Sequence, residues 1–323
     1  MSFRPFLLLL FSMLFVSALF SQEVRPLIRL KSSGYVNDFI VDGTTLFVAT
    51  TEGVVDIFDL MKKQRIGEIR LPEIRSGRGE KVRPKLLSID YLNGKLLLVS
   101  SGAQGRKNIW IYDTDGLRLV AEKSRDALVQ EARFIDDDHY LFGTVASEVI
   151  RYAVGEQYEQ YHRQMTQSRL SDMALSEDKS VMVMADESGE VRLIDVNSSK
   201  EIAFLGAENL DNVYKLVYKK GTVLTGGQDR RVGVYVEGQR PYYIKSDFLV
   251  YCVGLCDHAK VGAYSSGFDH DIQLFDIATK KKLYRLVGHR SVINKILFFS
   301  DTIIISAGDE DEVLVWQLPS GHQ

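Results

Sequence analysis

The sequence predicts an all-β fold in which seven four-stranded sheets, called blades, form the ring of a β-propeller. A five-residue segment with alternating apolar side chains recurs seven times, and successive copies end 54, 40, 42, 41, 40 and 41 residues apart. This period matches the roughly 40–45 residues of a propeller blade. No stretch of comparable length has the 3.6-residue period of an amphipathic helix. The seven segments are 55–59, 109–113, 149–153, 191–195, 232–236, 272–276 and 313–317.

Each copy of the segment has similar neighbours. An apolar strand precedes it, as at 46–50 and 302–306, and a further strand follows after a polar turn, as at 281–286. Alternation at a period of two indicates strands with a buried face. The surroundings therefore supply the other strands of each blade.

The two ends of the chain are predicted to complete the ring together. The seventh segment ends at Gln317, so the last blade lacks an outer strand. Glu23 to Leu30 lie directly before the first blade, and we expect this segment to supply that strand. Closure removes an open edge that would promote aggregation, and Pro26 is tolerated in an outermost strand.

The composition indicates a folded globular protein, with 45% hydrophobic and 26% charged residues. Lysine and arginine number 40 against 43 aspartates and glutamates, which gives a formal net charge of -3. This balance argues against general nucleic-acid binding, which requires a basic surface.

The N-terminal residues differ from the rest of the chain. Arg4 is followed by an almost wholly apolar run from Phe6 to Phe20, and the candidate cleavage sites are at Val16-Ser17-Ala18 and after Ser21. This layout is typical of a secretory signal peptide, so we expect residues 1–21 to direct export to the periplasm and 22–323 to form the propeller. The run is shorter than the ~20 residues that span a membrane. An uncleaved anchor is the alternative.

The last blade carries the strongest resemblance to a known family. Gly288 and His289 precede an apolar strand, and Ser306 and Trp316 follow in the order found in WD40 repeats. In that family a histidine, a serine, a tryptophan and a turn aspartate form a hydrogen-bonded chain within the blade. The resemblance implies a structural network of this kind here, in an altered form, because Glu310, between Asp309 and Asp311, stands at the aspartate position.

Blades five and six match the WD40 pattern in part. The resemblance places Thr225 and Asp229 at the serine and aspartate positions of blade five, and Ser265 and Asp269 at those of blade six. Blades one to four share little beyond the period. The fold that the resemblance implies is a seven-bladed WD40-like propeller.

A narrower resemblance is carried by residues 34–60, GYVNDFIVDGTTLFVATTEGVVDIFDL. Together with the predicted export, this stretch resembles the NapL family of accessory proteins found with periplasmic nitrate reductase in some bacteria. That resemblance implies a helper role in nitrate reductase maturation or electron supply, with nitrate reductase components as partners. Residues 195–199 also resemble an extended glycosylation acceptor motif of such bacteria, with Asn197 as the acceptor, and a plain polar turn is the alternative.

The sequence lacks motifs for catalysis. It contains no G-x-S-x-G, H-E-x-x-H, C-x-x-C-H, P-loop or dinucleotide-binding glycine pattern, and we expect no catalytic residue, cofactor or metal. Cys256, His258 and residues 269–271 are metal-ligand types, but they fall in turns at opposite ends of one blade. Cys252 and Cys256 are predicted in one strand about 13 Å apart, too far for a disulfide.

An irregularity in the repeat is the best candidate for a binding segment. The first spacing is the longest because of an insertion at 72–84, PEIRSGRGEKVRP, between blades one and two. Insertions in repeat folds map to loops that often bind partners. We predict that its basic residues contact an acidic surface of a periplasmic protein, with a passive solvated loop as the alternative. These candidate partner-binding residues are Arg75, Arg78, Lys81 and Arg83.

We therefore interpret the chain as an exported, non-catalytic protein-interaction scaffold, and we expect a monomer without a nucleic-acid partner or a membrane span after Gln22. The alternative is a propeller enzyme, or a protein that binds a cation or small ligand in its central channel. For that alternative the inner strands offer Asp38, Asp90, Asp172 and Asn294.

Overall fold

The computed structural model describes residues 22–120, 128–155, 158–206 and 208–319. The predicted signal peptide, residues 1–21, lies outside this part of the chain. Two short strands, β1 (Gln22–Val24) and β2 (Ile28–Lys31), precede the first blade. Seven consecutive sheets follow, which confirms the all-β, seven-bladed propeller predicted from the repeat.

The strands of each blade follow one another from the central channel to the rim. Blade one contains β3 (Val36–Asp42), β4 (Thr45–Thr50), β5 (Val54–Asp59) and β6 (Gln64–Arg70). A hairpin of β7 (Ile74–Arg75) and β8 (Lys81–Val82) comes next. Blade two contains β9 (Leu86–Leu92), β10 (Lys95–Ser101), a 3-10 turn (Ala103–Gly105), β11 (Lys107–Asp113) and β12 (Gly116–Leu119).

The remaining blades repeat this order. Blade three contains β13 (Val129–Phe134), β14 (His139–Thr144), β15 (Glu148–Ala153) and β16 (Tyr158–Gln164). Blade four contains β17 (Leu170–Leu175), β18 (Val181–Asp186), β19 (Val191–Asp195) and β20 (Glu201–Gly206). Blade five contains β21 (Val213–Lys219), β22 (Thr222–Gly227), β23 (Arg231–Val236) and β24 (Tyr242–Lys245).

The last two blades combine strands from the C-terminal part of the chain with one N-terminal strand each. Blade six contains β25 (Val253–Leu255), β26 (Val261–Ser266), β27 (Asp271–Asp276) and β28 (Lys282–Leu286). Blade seven contains β29 (Ile293–Phe298), β30 (Ile303–Gly308) and β31 (Glu312–Gln317). β1 and β2 are added at their outer edges.

The repeated five-residue segment forms the third strand of every blade, because its alternating side chains pack against the sheets on both sides. In blade one, β5 pairs with β4 and β6, and the same order recurs around the ring. Tight turns join the strands. Between β9 and β10, Asn93 and Gly94 have φ angles of 48° and 81°, as the two central residues of a type I′ turn require.

The hydrophobic core lies between neighbouring blades rather than at one centre. Leu97 and Ile109 of blade two share a buried cluster with Phe134 and Phe142 of blade three. Each blade buries its faces only against its neighbours, as in other repeat architectures. The integrity of the ring therefore determines whether these faces stay buried.

The N-terminal strand β2 closes the ring by pairing antiparallel with β31. The register aligns Ile28 with Val315 and Leu30 with Val313. Leu30 is only 4% exposed and shares a buried cluster with Phe39 of blade one. The N-terminal strand thus completes blade seven and packs it against blade one.

The predicted closing strand, Glu23 to Leu30, is correct only in its second half. Pro26 has no backbone N–H and a fixed φ, and the extended segment divides there into β1 and β2. β1 pairs parallel with β28 at the rim of blade six, where Val24 aligns with Leu286. Blade six therefore has five strands.

Ion pairs reinforce the closure at the surface. Arg29 Nη1 lies 2.9 Å from Glu312 Oε2, and Lys31 forms an ion pair with Asp311. Such partly exposed pairs contribute only about 0–1 kcal/mol each. The burial of Leu30 is therefore the larger contribution to closure.

Replacing Leu30 with alanine tests the closure. We expect Leu30→Ala to lower the free energy of unfolding by about 2–5 kcal/mol, because it leaves a cavity between blades seven and one. The matched change Leu27→Ala, at a side chain that is 57% exposed, should stay within about 0.5 kcal/mol of wild type. Urea unfolding followed by circular dichroism measures both. Equal losses would contradict closure by β2.

Candidate functional site

The two faces of the ring carry different connections. One face, called here the loop face, carries the turns between the second and third strands and the loops that link successive blades. The insertion at 72–84 lies on this face, beside the turn that follows β4 and against the 3-10 turn of blade two. The opposite face carries the other two turns of each blade.

The insertion is a short hairpin with a defined backbone. Arg75 of β7 pairs with Lys81 of β8. The Ser76 hydroxyl accepts a hydrogen bond from the Glu80 amide at 3.2 Å, and Gly79 adopts a φ of 84° in the turn. The hairpin therefore presents its side chains from a fixed frame.

All four predicted partner-binding side chains, Arg75, Arg78, Lys81 and Arg83, are exposed on or beside this hairpin. Arg83 Nη1 lies 3.1 Å from Oε2 of Glu52 in blade one, and Lys81 Nζ lies 4.0 Å from Glu73 Oε2. Arg75 donates only to a carbonyl of its own turn. Arg78 has no side-chain partner among the described residues. Positive charge is thus left in excess at this place on the loop face.

The inner strands enclose a central cavity of about 780 Å³. On the inner strand of each blade, the residue at one equivalent position faces this channel, and in every blade it is polar, charged or a cysteine. In blade order these residues are Asp38, Ser88, Glu131, Asp172, Lys215, Cys252 and Lys295. Residues of opposite charge are therefore neighbours around the ring, between blades seven and one and between blades four and five.

Channel carboxylates join neighbouring blades. Three of them accept a hydrogen bond from a backbone N–H on the next inner strand, and a buried N–H needs such a partner. These bonds join Asp38 to the Ile89 amide at 3.0 Å, Asp90 to the Phe134 amide at 2.8 Å and Asp172 to the Leu216 amide at 2.8 Å. The carboxylates thus act as links between the sheets.

Lysines neutralise part of this wall. Lys295 donates to Asp38 Oδ1 at 2.5 Å, and Lys215 donates to Asp172 Oδ1 at 3.1 Å. Burial raises the pKa of Asp38. The positive charges of Lys295 and then Arg133 have the larger combined effect, so the pKa lies below its usual value. Asp38 is therefore held in its charged form.

Asn294 has a similar linking role. Its Nδ2 donates to the Val36 carbonyl at 2.6 Å and joins blade seven to blade one. Each residue considered as a cation or ligand site in the channel thus makes at least one hydrogen bond to the protein, whereas Asn294 Oδ1 is buried without a partner among the described residues. The contacts give these residues a structural role between the blades, and the alternative of a channel-bound ligand stays a prediction. These residues are Asp38, Asp90, Asp172 and Asn294.

Glu131 differs from the other channel carboxyls. Arg133 Nη2 donates to Glu131 Oε2 at 2.7 Å. Burial, followed by the charge of the adjacent Asp172, outweighs this contact and raises the pKa of Glu131 to about 8. The raised pKa favours the protonated form of Glu131 at neutral pH.

Glu131→Gln is expected to alter the pH dependence of stability. Because folding raises the pKa of Glu131 from about 4.5 to about 8, the stabilisation from its proton is complete below pH 4.5 and is lost as the pH rises through about 8. Glutamine keeps the neutral shape without ionising. The free energy of unfolding of wild type should therefore fall relative to the variant by more than about 1 kcal/mol between these pH values.

Urea unfolding at pH 5, 6.5 and 8.5 measures this difference. Asp115→Asn, at an exposed turn of blade two, is the control, and its profile should run parallel to that of wild type. A parallel profile for Glu131→Gln would show that Glu131 is ionised throughout.

Blade seven contains a buried hydrogen-bonded chain of the kind implied by the WD40 resemblance. His289 Nδ1 lies 2.6 Å from Glu310 Oε1, and His289 Nε2 lies 2.6 Å from Ser306 Oγ. Trp316 Nε1 donates to Ser306 Oγ at 2.8 Å. The structure thus brings the four residues together inside the blade, with glutamate serving as the acid.

Blade five contains a second version of this chain, which sequence analysis identified only in part. Asn209 lies four residues before its inner strand, as His289 does in blade seven. Thr225 Oγ1 donates to Asn209 Oδ1 at 2.5 Å, and Asn209 Nδ2 donates to Asp229 Oδ1 at 3.1 Å. The absence of a histidine concealed this position. Its spacing from the inner strand is the signal that finds it.

Blade six departs from the pattern. Tyr264 aligns with the inner strand where Thr225 and Ser306 align in blades five and seven. The assignment of Ser265 to the serine position is therefore wrong by one residue, because the turn after β26 is one residue longer than in those blades. Asp269 lies exposed in that turn.

The two cysteines are free and buried. Burial raises the pKa of the Cys252 thiol to about 12, which disfavours the reactive thiolate. Cys256 and His258 lie on the opposite face of the ring from residues 269–271. Within the described ranges, no group of three or more His, Cys, Asp or Glu side chains is arranged to hold a metal.

The arrangement of seven four-stranded sheets resembles a solved structure. The β-propeller domain of Cps50 (Swd1) from Myceliophteria thermophila superposes with a TM-score of 0.69, over 89% of this chain and 97% of that domain. The chain has the fold of a WD40 β-propeller. Sequence identity to that domain is 12%, so the likeness concerns the fold alone.

Comparison of the amino-acid sequence with known families and proteins gives less information than comparison of the fold. No protein-family model matches the chain. A CCR4-associated factor 4 homolog from Candida glabrata is 38% identical over 71 residues, which make up 21% of this chain and 12% of that protein. The match thus covers a small part of that protein. No helix in the described part of the chain is long and apolar enough to cross a membrane.

Proposed function

We propose that this chain is an exported, non-catalytic scaffold for protein–protein interaction. The basic hairpin of β7 and β8 is the observation that carries the proposal. It stands on the loop face outside the blades, and its four basic side chains are exposed. Binding segments commonly lie on loops that a rigid frame positions.

The charge of the hairpin favours an acidic partner surface. Residues 72–84 contain four basic and two acidic side chains, in a protein whose net charge is -3. Exposed charge pairs contribute only about 0.2–1 kcal/mol each and act mainly on the rate of association. The contact should therefore weaken as salt is added.

The proposed location is the periplasm, and its support is the apolar run from Phe6 to Phe20. A helper role for nitrate reductase, as in the NapL family, is the finer proposal, and its support is the resemblance at 34–60. That stretch contains the first three strands of blade one, and its Glu52 pairs with Arg83 beside the hairpin. The resemblance at 34–60 and the basic hairpin thus concern neighbouring parts of the propeller.

A variant with serine at Arg75, Arg78, Lys81 and Arg83 tests the hairpin. The melting temperature should change little, because these side chains lie outside the core. Capture of a periplasmic partner by the immobilised protein should drop several-fold at low salt, and less at high salt, where screening already weakens the wild-type contact. Quantitative mass spectrometry of captured proteins, with nitrate reductase subunits followed by name, provides the measurement.

The control variant carries the same change in charge on the opposite face. Serine replaces the exposed residues Lys63, Lys200, Arg240 and Lys281, which lie in turns between third and fourth strands. Capture by this control should equal that of wild type. If the two variants behave alike at low salt, the hairpin is not the contact surface.

A further inference from the structure

The turn between the second and third strands of blade two is longer than its counterparts. It contains five residues, 102–106, whereas the corresponding turns of the other blades contain three or four. The Gly102 amide donates to the Arg106 carbonyl at 2.8 Å, which closes the turn. Lys107 follows as the first residue of β11 and lines the central cavity. The first residues of the other six third strands, all within the described ranges, do not line it.

Lys107 has no counter-charge in this position. Its ammonium group has no hydrogen-bond or ion-pair partner in the described part of the chain. Each of the other lysines that line the cavity donates a hydrogen bond to a protein oxygen. They are Lys179, Lys215 and Lys295. Because Lys107 is also half-buried, water replaces the missing partner only in part, and an anion beside it would be stabilised.

A second cation lines the same wall of the cavity. Arg169 lies directly before β17, and blade three, between the two cations, contributes Gln130 and Val145 to this wall. Partial burial and then the positive charge of Arg169 lower the pKa of Lys107. Arg169 Nη1 lies 3.7 Å from the exposed Glu187, which leaves further donors of its guanidinium available. The fold thus keeps two positive charges near each other although they repel.

The cavity opens at this place on the loop face. Its volume is about 780 Å³, and its exposed lining includes Arg169 and Asp309. Asp309 belongs to blade seven, which lies on the other side of the channel from blade three. Its carboxylate therefore does not occupy the space between Lys107 and Arg169, and a group that enters from the loop face can reach both cations.

This end of the channel adjoins the basic hairpin. β7 contacts the 3-10 turn of residues 103–105, which ends two residues before Lys107. The amide of Lys85, the first residue after the insertion, donates to Ser101 Oγ at 2.8 Å. Ser101 is in turn the strand partner of Lys107. The two irregular segments of the propeller, the insertion and the long turn of blade two, are therefore in contact, and both carry positive charge.

We propose that the mouth of the channel between Lys107 and Arg169 binds a carboxylate side chain of an extended acidic segment of the partner protein. Neighbouring acidic residues of the segment lie along the hairpin. An ammonium and a guanidinium side by side supply charge-assisted hydrogen bonds to the two oxygens of one carboxylate, and such bonds are about twice as strong as neutral ones. The inference rests on the hairpin as the contact surface, and it adds a second contact and the extended form of the partner.

An acidic peptide tests this inference on the whole mature protein at low salt. Acetyl-(Glu-Gly)6-amide, which spans up to about 40 Å when extended, should shift the backbone NMR signals of Lys107, Val145 and Gly79 saturably and with one dissociation constant. The glutamine peptide, acetyl-(Gln-Gly)6-amide, has nearly the same shape without the charge. It should bind at least about tenfold more weakly, because charged hydrogen bonds are lost.

The signals separate this inference from the function proposed above. Shifts at Gly79 in the hairpin without shifts at Val145 leave the hairpin as the contact surface and overturn the site at the channel mouth. Equal binding of the two peptides overturns it as well. If sodium acetate at the same carboxylate concentration shifts Val145 as strongly as the acidic peptide does, the site takes small anions and not a partner segment.

Lys107→Met locates the site. Methionine keeps most of the apolar length and removes the charge, so the variant should bind the acidic peptide about tenfold more weakly and lose the shift at Val145 while Gly79 still shifts. Its melting temperature should be at least that of wild type, because the repulsion from Arg169 is removed. A lower melting temperature would instead give Lys107 a structural role and contradict the inference.

Lys200→Met is the matched control. Lys200 is exposed in a turn on the opposite face, and this variant should bind the acidic peptide like wild type. In the variant with four serines in the hairpin, the shift at Val145 should persist at higher peptide concentration. Unchanged binding by a folded Lys107→Met protein contradicts the inference, whatever the outcome for the hairpin variant.

Discussion

The pairing of β2 with β31 is the contact on which the rest of the propeller depends. Every blade buries its faces only against its neighbours, so an opening at one junction exposes apolar surface on two sheets at once. Leu30 lies at that junction with the buried side chains of blades seven and one. Strand β2 has only four residues, and it thus stabilises the packing between blades around the whole ring. Its ion pairs with Glu312 and Asp311 are secondary, because they are partly exposed.

Around the channel, polar contacts align the blades that hydrophobic packing holds together. Apolar burial is nondirectional and would tolerate sliding of one sheet along the next. A carboxylate that accepts a specific backbone N–H, as Asp172 does from Leu216, allows one alignment only. The hydrogen-bonded chains around His289 and Asn209 have a comparable effect inside single blades. Together these contacts explain how a propeller with little WD40 sequence signature in blades one to four keeps a regular ring.

Most of the fold could be predicted from the sequence, since the period and the alternation report directly on blade number and on the third strand. The division of the N-terminal segment at Pro26 could have been predicted from the properties of proline. The parallel pairing of β1 with β28 could not, because a strand of three residues at the rim has no sequence pattern of its own. The Ser265 assignment failed because counting residues does not reveal where a longer turn shifts the register. The part of Asn209 in the hydrogen-bonded chain of blade five was also missed, because an asparagine stands where the family pattern has a histidine.

The raised pKa of Glu131 has a consequence for the charge of the central channel. With Glu131 neutral, six cationic side chains line the cavity against five carboxylates. The cationic residues are Lys107, Arg133, Arg169, Lys179, Lys215 and Lys295, and the carboxylates are those of Asp38, Asp90, Asp172, Glu177 and Asp309. This positive excess favours small anions in the channel over small cations. As the pH rises through about 8, ionisation of Glu131 would make the two charges equal in number and remove that preference.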